Sequence, residues 1–172
     1  MKTLVLGGMR SGKSRHAEMM ARSSGLAVSY IATARPDDAE MAARIAHHRG
    51  RRPAGWTLVE EPLALGAQLK AQAASDRCVM VDCLTLWLTN LLLAPDGNLV
   101  ARERAALLET LPNLPGEIVL VSNETGLGVV PLGELTRRYC DEAGRLHQDL
   151  ARICDRVILM VAGLPLFLKG TA

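Results

Sequence analysis

Apolar residues along this chain fall into two recurring patterns that alternate from one end to the other. Short β-type runs occur at 3–6, 28–32, 78–81, 118–121 and 157–161, bounded by polar or glycine-containing segments. Between them, helical spacing predicts helices near 14–23, 38–49, 63–74, 99–110 and 134–153. In the last of these, Leu135, Tyr139, Ala143, Leu146, Leu150 and Ile153 recur at three- and four-residue steps and form one apolar face. A further apolar segment at 84–93, containing Trp87, is expected to be a buried helix. Residues 164–168 predict a short final strand, with Pro165 marking an edge position. Strands alternating with helices argue for an α/β fold with a mostly parallel sheet. The Pro- and Gly-rich spots at 50–55, 95–97 and 112–116 are only loop-sized, so residues 1–172 are expected to form a single domain.

The turn after the first strand carries chemistry. Residues 7–14 read Gly-Gly-Met-Arg-Ser-Gly-Lys-Ser, a complete G-x-x-x-x-G-K-[ST] phosphate-binding loop placed between a strand and a helix. Its glycines let successive backbone N–H groups turn inward on an anion. Lys13 can reach the terminal phosphates, and the Ser14 hydroxyl can ligate Mg²⁺. The helix beginning near Ser14 adds the positive end of its dipole. The expected architecture is therefore a P-loop NTPase-like three-layer α/β/α domain that binds a nucleoside triphosphate.

Composition narrows the partners. The net charge is only +2 and aromatics make up 3% of residues, so neither a polyanion-binding surface nor a base-stacking platform is expected, and nucleic acid is not an expected partner. Cys78, Cys83, Cys140 and Cys154 lack C-x-x-C or zinc-type spacing and read as small buried hydrophobes in a reducing compartment. The N-terminus is itself the first strand, which leaves no room for a signal peptide. The uncharged stretch 83–95 is too short to span a bilayer. A cytoplasmic protein without stable membrane insertion is expected.

Two further segments bear on a phosphate site. The run at 78–81 ends in Asp82, as a Walker-B strand does, where the carboxylate can hold Mg²⁺ directly or through water; a cap on the helix that follows is the compatible alternative, and the P-loop favours the metal role. Residues 37–53 predict a helix capped by Asp37 or Asp38, with Met41, Ala42 and Ile45 on its apolar face and Glu40–Arg44 as a supporting pair. It ends in His47 and His48, followed by Arg49, Gly50, Arg51 and Arg52. The arginines make a second anion-binding patch, because guanidinium groups match phosphate oxygens. A histidine here could be a solvated helix-end residue or a nucleophile toward phosphorus. Shared metal ligation is disfavoured, because adjacent helical residues point about 100° apart. Periodicity does not choose between His47 and His48.

The loop 7–14 followed by Arg15-His16-Ala17-Glu18, the run Ile31-Ala32-Thr33, and the helix 40–52 with Pro53 and Trp56 together resemble a known family. So do 82–92 (DCLTLWLTNLL) and 121–131 (VSNETGLGVVP). The family is that of the bifunctional adenosylcobinamide kinase/adenosylcobinamide-phosphate guanylyltransferases of cobalamin synthesis, and the resemblance runs to about Val161. It implies that His47 carries a covalent guanylyl group. It also implies that Lys13 acts catalytically and that Gly8, Met9, Arg10, Ser11, Gly12, Lys13, Ser14 and Arg15 bind nucleotide phosphates. Thr33, Ala34, Arg35, His48, Arg49, Gly50, Arg51, Glu60 and Asp82 are implied to contact the guanine nucleotide, and Ser14 and Asp82 the Mg²⁺. Where the family usually has asparagine in a late Gly-x-x-Asn-Gln segment, this chain has His147.

The resemblance further implies ATP or GTP as phosphoryl donor, GTP as guanylyl donor, adenosylcobinamide and its phosphate as acceptors, and a homo-oligomer, specifically a trimer. For His47 to reach an α-phosphate, its helix must close over the P-loop; Gly50 and Gly55 suit a hinge but equally suit a helix stop. A carboxylate such as Glu60 can accept from the guanine ring N–H and amine, although Glu60 and its neighbour Glu61 also fit a solvated strand edge. The Asn123–Gly128 loop lies where such folds place nucleotide- or substrate-sensing groups. Rival readings are a monofunctional small-metabolite kinase and a nucleotide-driven switch. The Asn-Lys-x-Asp motif of switch GTPases is absent.

Overall fold

The computed structural model describes residues 1–35, 53 and 55–171, so the helix predicted over 38–49 lies outside the described residues. In chain order the elements are β1 (Lys2–Gly7), α1 (Lys13–Ser23), β2 (Ala27–Ala32), β3 (Thr57–Glu60), α2 (Leu65–Gln72), β4 (Arg77–Asp82), α3 (Leu84–Leu93), α4 (Leu99–Thr110), β5 (Glu117–Asn123), α5 (Glu134–Ile153), β6 (Arg156–Val161) and β7 (Leu164–Lys169). All seven strands share one sheet in the order β3-β2-β4-β5-β1-β6-β7. Every pair is parallel except β6 with β7. The expected α/β architecture is what the chain adopts. The strand at Thr57–Glu60 shows in the sequence only as a strand edge at Glu60 and Glu61, because its polar ends and four-residue length give it little pattern.

The period-two alternation of the strands sorts their side chains onto two faces. Leu4, Leu6, Val79, Val81, Ile118, Leu120 and Val157 pack with α2, α3, α4 and α5. Val5, Met80, Val119, Val121, Ile158 and Met160 face the other way, against Ala17 and Ala21 of α1. Helices on both faces give the three layers. The small Ala17 and Ala21 let α1 lie close over the central strands, directly after the loop that feeds it. Trp87 is fully buried, and its indole N–H donates to the Leu63 carbonyl at 2.7 Å, which removes the cost of burying that donor. The 84–93 segment is therefore the core helix its apolarity suggests. Pro165 sits on the edge strand β7, opposite Met160.

Topology fixes where a ligand can bind. Leaving β1, the chain crosses over the α1 face; leaving the adjacent β5, it crosses over the opposite face through α5. Neighbouring parallel strands whose connections diverge in this way open a crevice at their carboxyl ends, the usual ligand position in such sheets. Here that crevice lies beside Gly7 and Asn123, which are paired in register.

At the opposite end of the sheet, Gly116 enters β5 with φ +73°, and its carbonyl accepts from the chain's terminal amine at 2.8 Å. An added Cβ would stand 2.1 Å from the Ala74 carbonyl oxygen and 2.4 Å from that of Arg77. Gly116→Ala is expected to cost at least about 2 kcal/mol from the positive φ and the backbone clash. A fall in the thermal midpoint of roughly 4–8 °C would follow. Calorimetry checks this, and an unchanged midpoint would contradict the close approach.

A candidate nucleotide site at the β1–β5 crevice

The loop between β1 and α1 is shaped by its glycines and by the turn from β6 to β7. A Cβ on Gly7 would lie 2.4 Å from Ser11 Oγ and 2.8 Å from the Met160 carbonyl oxygen, so only glycine lets the loop fold back on the strand end. Ser11 N–H donates to the Gly8 carbonyl at 3.2 Å, and the Gly163 N–H donates to the Ser11 carbonyl at 2.9 Å. Arg10 and Gly12 take positive φ, 58° and 94°, which turns the chain into α1. That helix begins at Lys13 with no side-chain cap and no acidic residue in its first turn. Its first N–H groups and dipole are thus left to an external anion.

Lys13 and Ser14 frame this opening. Lys13 Nζ folds back to donate to the Gly8 carbonyl at 3.2 Å. Partial burial pulls its pKa down, opposed by the neighbouring Cys83 and Asp82. Ser14 Oγ donates to Asp82 Oδ1 at 3.4 Å, and Tyr30 Oη donates to Asp82 Oδ2 at 2.8 Å. Asp82 is therefore occupied by the P-loop serine and by β2. The helix cap falls instead on Cys83, without a side-chain bond, so the capping reading of Asp82 does not hold. A hydroxyl and a carboxylate meeting beside a phosphate loop are the hard oxygen donors that Mg²⁺ prefers, and the donor set fits that ion. No cluster of three or more His, Cys, Asp or Glu occurs among the described residues. A magnesium completed by phosphates and water needs none.

Around this centre the predicted residues separate. Gly8, Met9, Arg10, Ser11, Gly12, Lys13, Ser14 and Arg15 form the loop and the first turn of α1, with Met9, Arg10 and Arg15 exposed. Thr33 is buried at the end of β2. Its hydroxyl donates to the Cys83 carbonyl at 2.7 Å and accepts from Cys83 N at 3.0 Å, while its own carbonyl accepts from Asn90 Nδ2 at 2.8 Å. It pins the β2 exit to β4 and leads to Ala34, half-buried, and Arg35, exposed. Glu60 is exposed at the end of β3, in register with Ala32. His47, His48, Arg49, Gly50 and Arg51 lie outside the described residues. Burial pushes the thiols of Cys78 and Cys83 up to about 11 and that of Cys154 to about 12, consistent with their reading as packing groups.

Several contributors escaped the sequence reading. Tyr30 shows only as one more apolar strand residue, yet its hydroxyl aims Asp82. Gly163 and Met160 come from the far end of the chain and carry no motif. They also line an open groove of about 700 Å³ that runs from Gly12 along α1 past Arg15, His16 and Arg22. On the other face of the sheet, His147 Nε2 lies 2.8 Å from Ser122 Oγ, and its Nδ1 lies 3.9 Å from Glu124 Oε2. His147 itself stands out in the sequence; its partners Ser122 and Glu124 do not. No helix among the described residues is long and apolar enough to cross a membrane.

The family model for cobinamide kinase / cobinamide phosphate guanyltransferase matches residues 3–168. The chain is 66% identical over 170 residues to the bifunctional adenosylcobalamin biosynthesis protein CobP of Pseudomonas aeruginosa, covering 99% of this chain and 98% of that protein. It is 41% identical over 182 residues to the bifunctional adenosylcobalamin biosynthesis protein CobU of Salmonella typhimurium, covering 98% of this chain and all (100%) of the other. Among solved structures, a protein from Pyrococcus horikoshii OT3 matches in fold with a TM-score of 0.53 at 12% identity, over 99% of this chain and 87% of that one. The chain belongs to the cobinamide kinase / cobinamide phosphate guanyltransferase family and is a bifunctional enzyme of that kind.

Proposed function

We propose that one nucleotide site serves both reactions of this enzyme. In the first, the hydroxyl of the aminopropanol arm of adenosylcobinamide attacks the γ-phosphorus of ATP or GTP. The new O–P bond forms as the bond to the β–γ bridging oxygen breaks. The uncapped N-terminus of α1 and Lys13 stabilise the charge that builds on the transferring and leaving oxygens. Ser14 and Asp82 would hold Mg²⁺, which supplies neutralisation of the phosphate charge. In the second, a ring nitrogen of His47 attacks the α-phosphorus of GTP and pyrophosphate leaves. A phosphate oxygen of adenosylcobinamide phosphate then attacks the same phosphorus, the N–P bond breaks, and adenosylcobinamide-GDP is released. Covalent catalysis divides one difficult exchange into two displacements.

The observation that carries this reading is the convergence of Lys13, the Ser14–Asp82 pair and an open helix N-terminus at the β1–β5 crevice. A loop that grips β- and γ-phosphates serves either reaction, since those groups are the transferred and leaving parts in one and the departing pyrophosphate in the other. The arginines at 49, 51 and 52 supply charge suited to the same phosphates.

Incubation with α-labelled GTP and Mg²⁺ is expected to give a label that survives denaturation, is lost in acid and is absent from His47→Ala. A label retained by that variant would move the nucleophile elsewhere; no label under any condition would leave only the kinase. Lys13→Ala is expected to lower kcat of both reactions by about 100-fold or more, as loss of a transition-state charge partner does. Asp82→Asn is expected to raise the Mg²⁺ concentration at half-maximal rate in both, measured by metal titration. An effect confined to one reaction would argue against a shared site.

A further inference from the structure

The divergence of β1 and β5 brings a carboxylate to the edge of the phosphate loop. Glu124 follows directly on β5, and its N–H donates to the carbonyl of Gly7, the first loop residue, at 3.0 Å. One carboxylate oxygen, Oε1, accepts from the Gly126 N–H at 2.5 Å. The other, Oε2, faces His147 Nδ1 at 3.9 Å, with the Glu124 side chain 21% exposed. Glu124 thus stands at the mouth of the crevice, backed by protein on one side and open on the other.

His147 is the one polar member of the buried set Ala143, Leu146, His147 and Leu150 on α5. Burying an imidazole is costly unless its nitrogens are used. Nε2 meets the hydroxyl of Ser122, itself buried, and Nδ1 is turned toward Glu124. The carboxylate favours the tautomer with hydrogen on Nδ1, leaving Nε2 to accept from Ser122. An asparagine carboxamide offers the same pairing of one acceptor with one donor, which is chemically why either residue suits the position.

We propose that the Glu124 carboxylate takes the proton of the acceptor hydroxyl in the kinase step, and that His147 is the positioning residue that orients it. This rests on the kinase half of the reading above. As the hydroxyl oxygen bonds to the γ-phosphorus and the bond to the β–γ bridging oxygen breaks, the hydroxyl proton passes to Glu124, which later releases it to water. Guanylylation of His47 involves no acceptor hydroxyl and so makes no use of Glu124.

The environment of His147 gives the arrangement a pH signature. Burial holds its pKa below the usual 6.5, opposed by Glu124. From β5 and its loop it faces Ser122 and Glu124. α3 carries no charged residue, and Lys2 of β1 is bonded to the Pro112 carbonyl. On α4, Arg104 pairs with Glu142 and Asp149. When His147 gains a proton, both ring nitrogens become donors and the cation draws on the carboxylate that must accept the substrate proton. Kinase rate is therefore lost as pH falls through the lowered His147 pKa.

The test measures the two half-reactions separately on the full chain: guanylyl loading from α-labelled GTP without acceptor, and phosphoryl transfer from γ-labelled ATP to adenosylcobinamide. In Glu124→Gln the side chain still accepts from Gly126. This variant is expected to lower kinase kcat about 100-fold or more while loading proceeds as in the parent. His147→Leu should lower kinase kcat about 10-fold with nucleotide KM little changed, and His147→Asn should restore the rate and move the acid limb to lower pH. A kinase kcat within about 3-fold of the parent in Glu124→Gln overturns the proposal, as does equal loss of both half-reactions. An acid limb identical in His147→Asn and the parent removes the positioning role. If the parent chain loads no guanylyl group, the transferase reading fails while the kinase comparison still decides the role of Glu124.

Discussion

The site depends on one constraint, the parallel pairing of β1 with β5 while their onward connections take opposite faces of the sheet. Parallel pairing aligns the two carboxyl ends at Gly7 and Asn123. Divergence keeps both ends uncovered, because neither crossover passes over the gap between them. The phosphate loop, the start of α1 and the Glu124 turn follow from that arrangement. Locally the loop adds glycine at Gly7 and Gly12, a positive φ at Arg10 and the bond from Gly163.

Electrostatics at the crevice are set by what is withheld as much as by what is supplied. α1 lacks a capping side chain and an early acidic residue, either of which would stabilise an isolated helix but would compete with a bound anion. Lys13 is drawn partly out of water, so its charge is costly until a phosphate replaces the lost solvation. Asp82 has both oxygens engaged by Tyr30 and Ser14, which fixes its direction. The protein bears these local costs in the core beneath, where both sheet faces are closed by aliphatic side chains.

Much of this is legible in the sequence because its signals are local. The strand around Val5, the loop through Lys13 and the amphipathic helix from Glu134 each announce themselves within a few residues, and helix α5 begins and ends where its spacing predicts. Asp82 stands out by ending an apolar strand, although whether it caps a helix or meets a serine is decided by Tyr30, 52 positions away. The segment Thr57–Glu60 is short and half polar, and it becomes a strand only because β2 offers it an edge. Thr33 reads as a contact residue, but its hydroxyl is spent on Cys83. His147 stands out only against the resemblance, where asparagine is usual. Its partners, Ser122 and Glu124, are brought to it by packing that no periodicity encodes.

The β6–β7 hairpin also acts on the phosphate loop. Because the Gly163 amide holds the Ser11 carbonyl, and Gly163 Cα sits 3.3 Å from where a Cβ on Gly12 would project, the β6–β7 turn acts as a backstop for the phosphate loop. The loop's curvature is thus anchored by residues far downstream of it in the chain. A nascent chain that already holds its P-loop, α1 and all five inner strands has still to gain the piece that sets the loop's shape. Competence to grip a phosphate is in this sense a property of the assembled sheet, conferred from its edge inward.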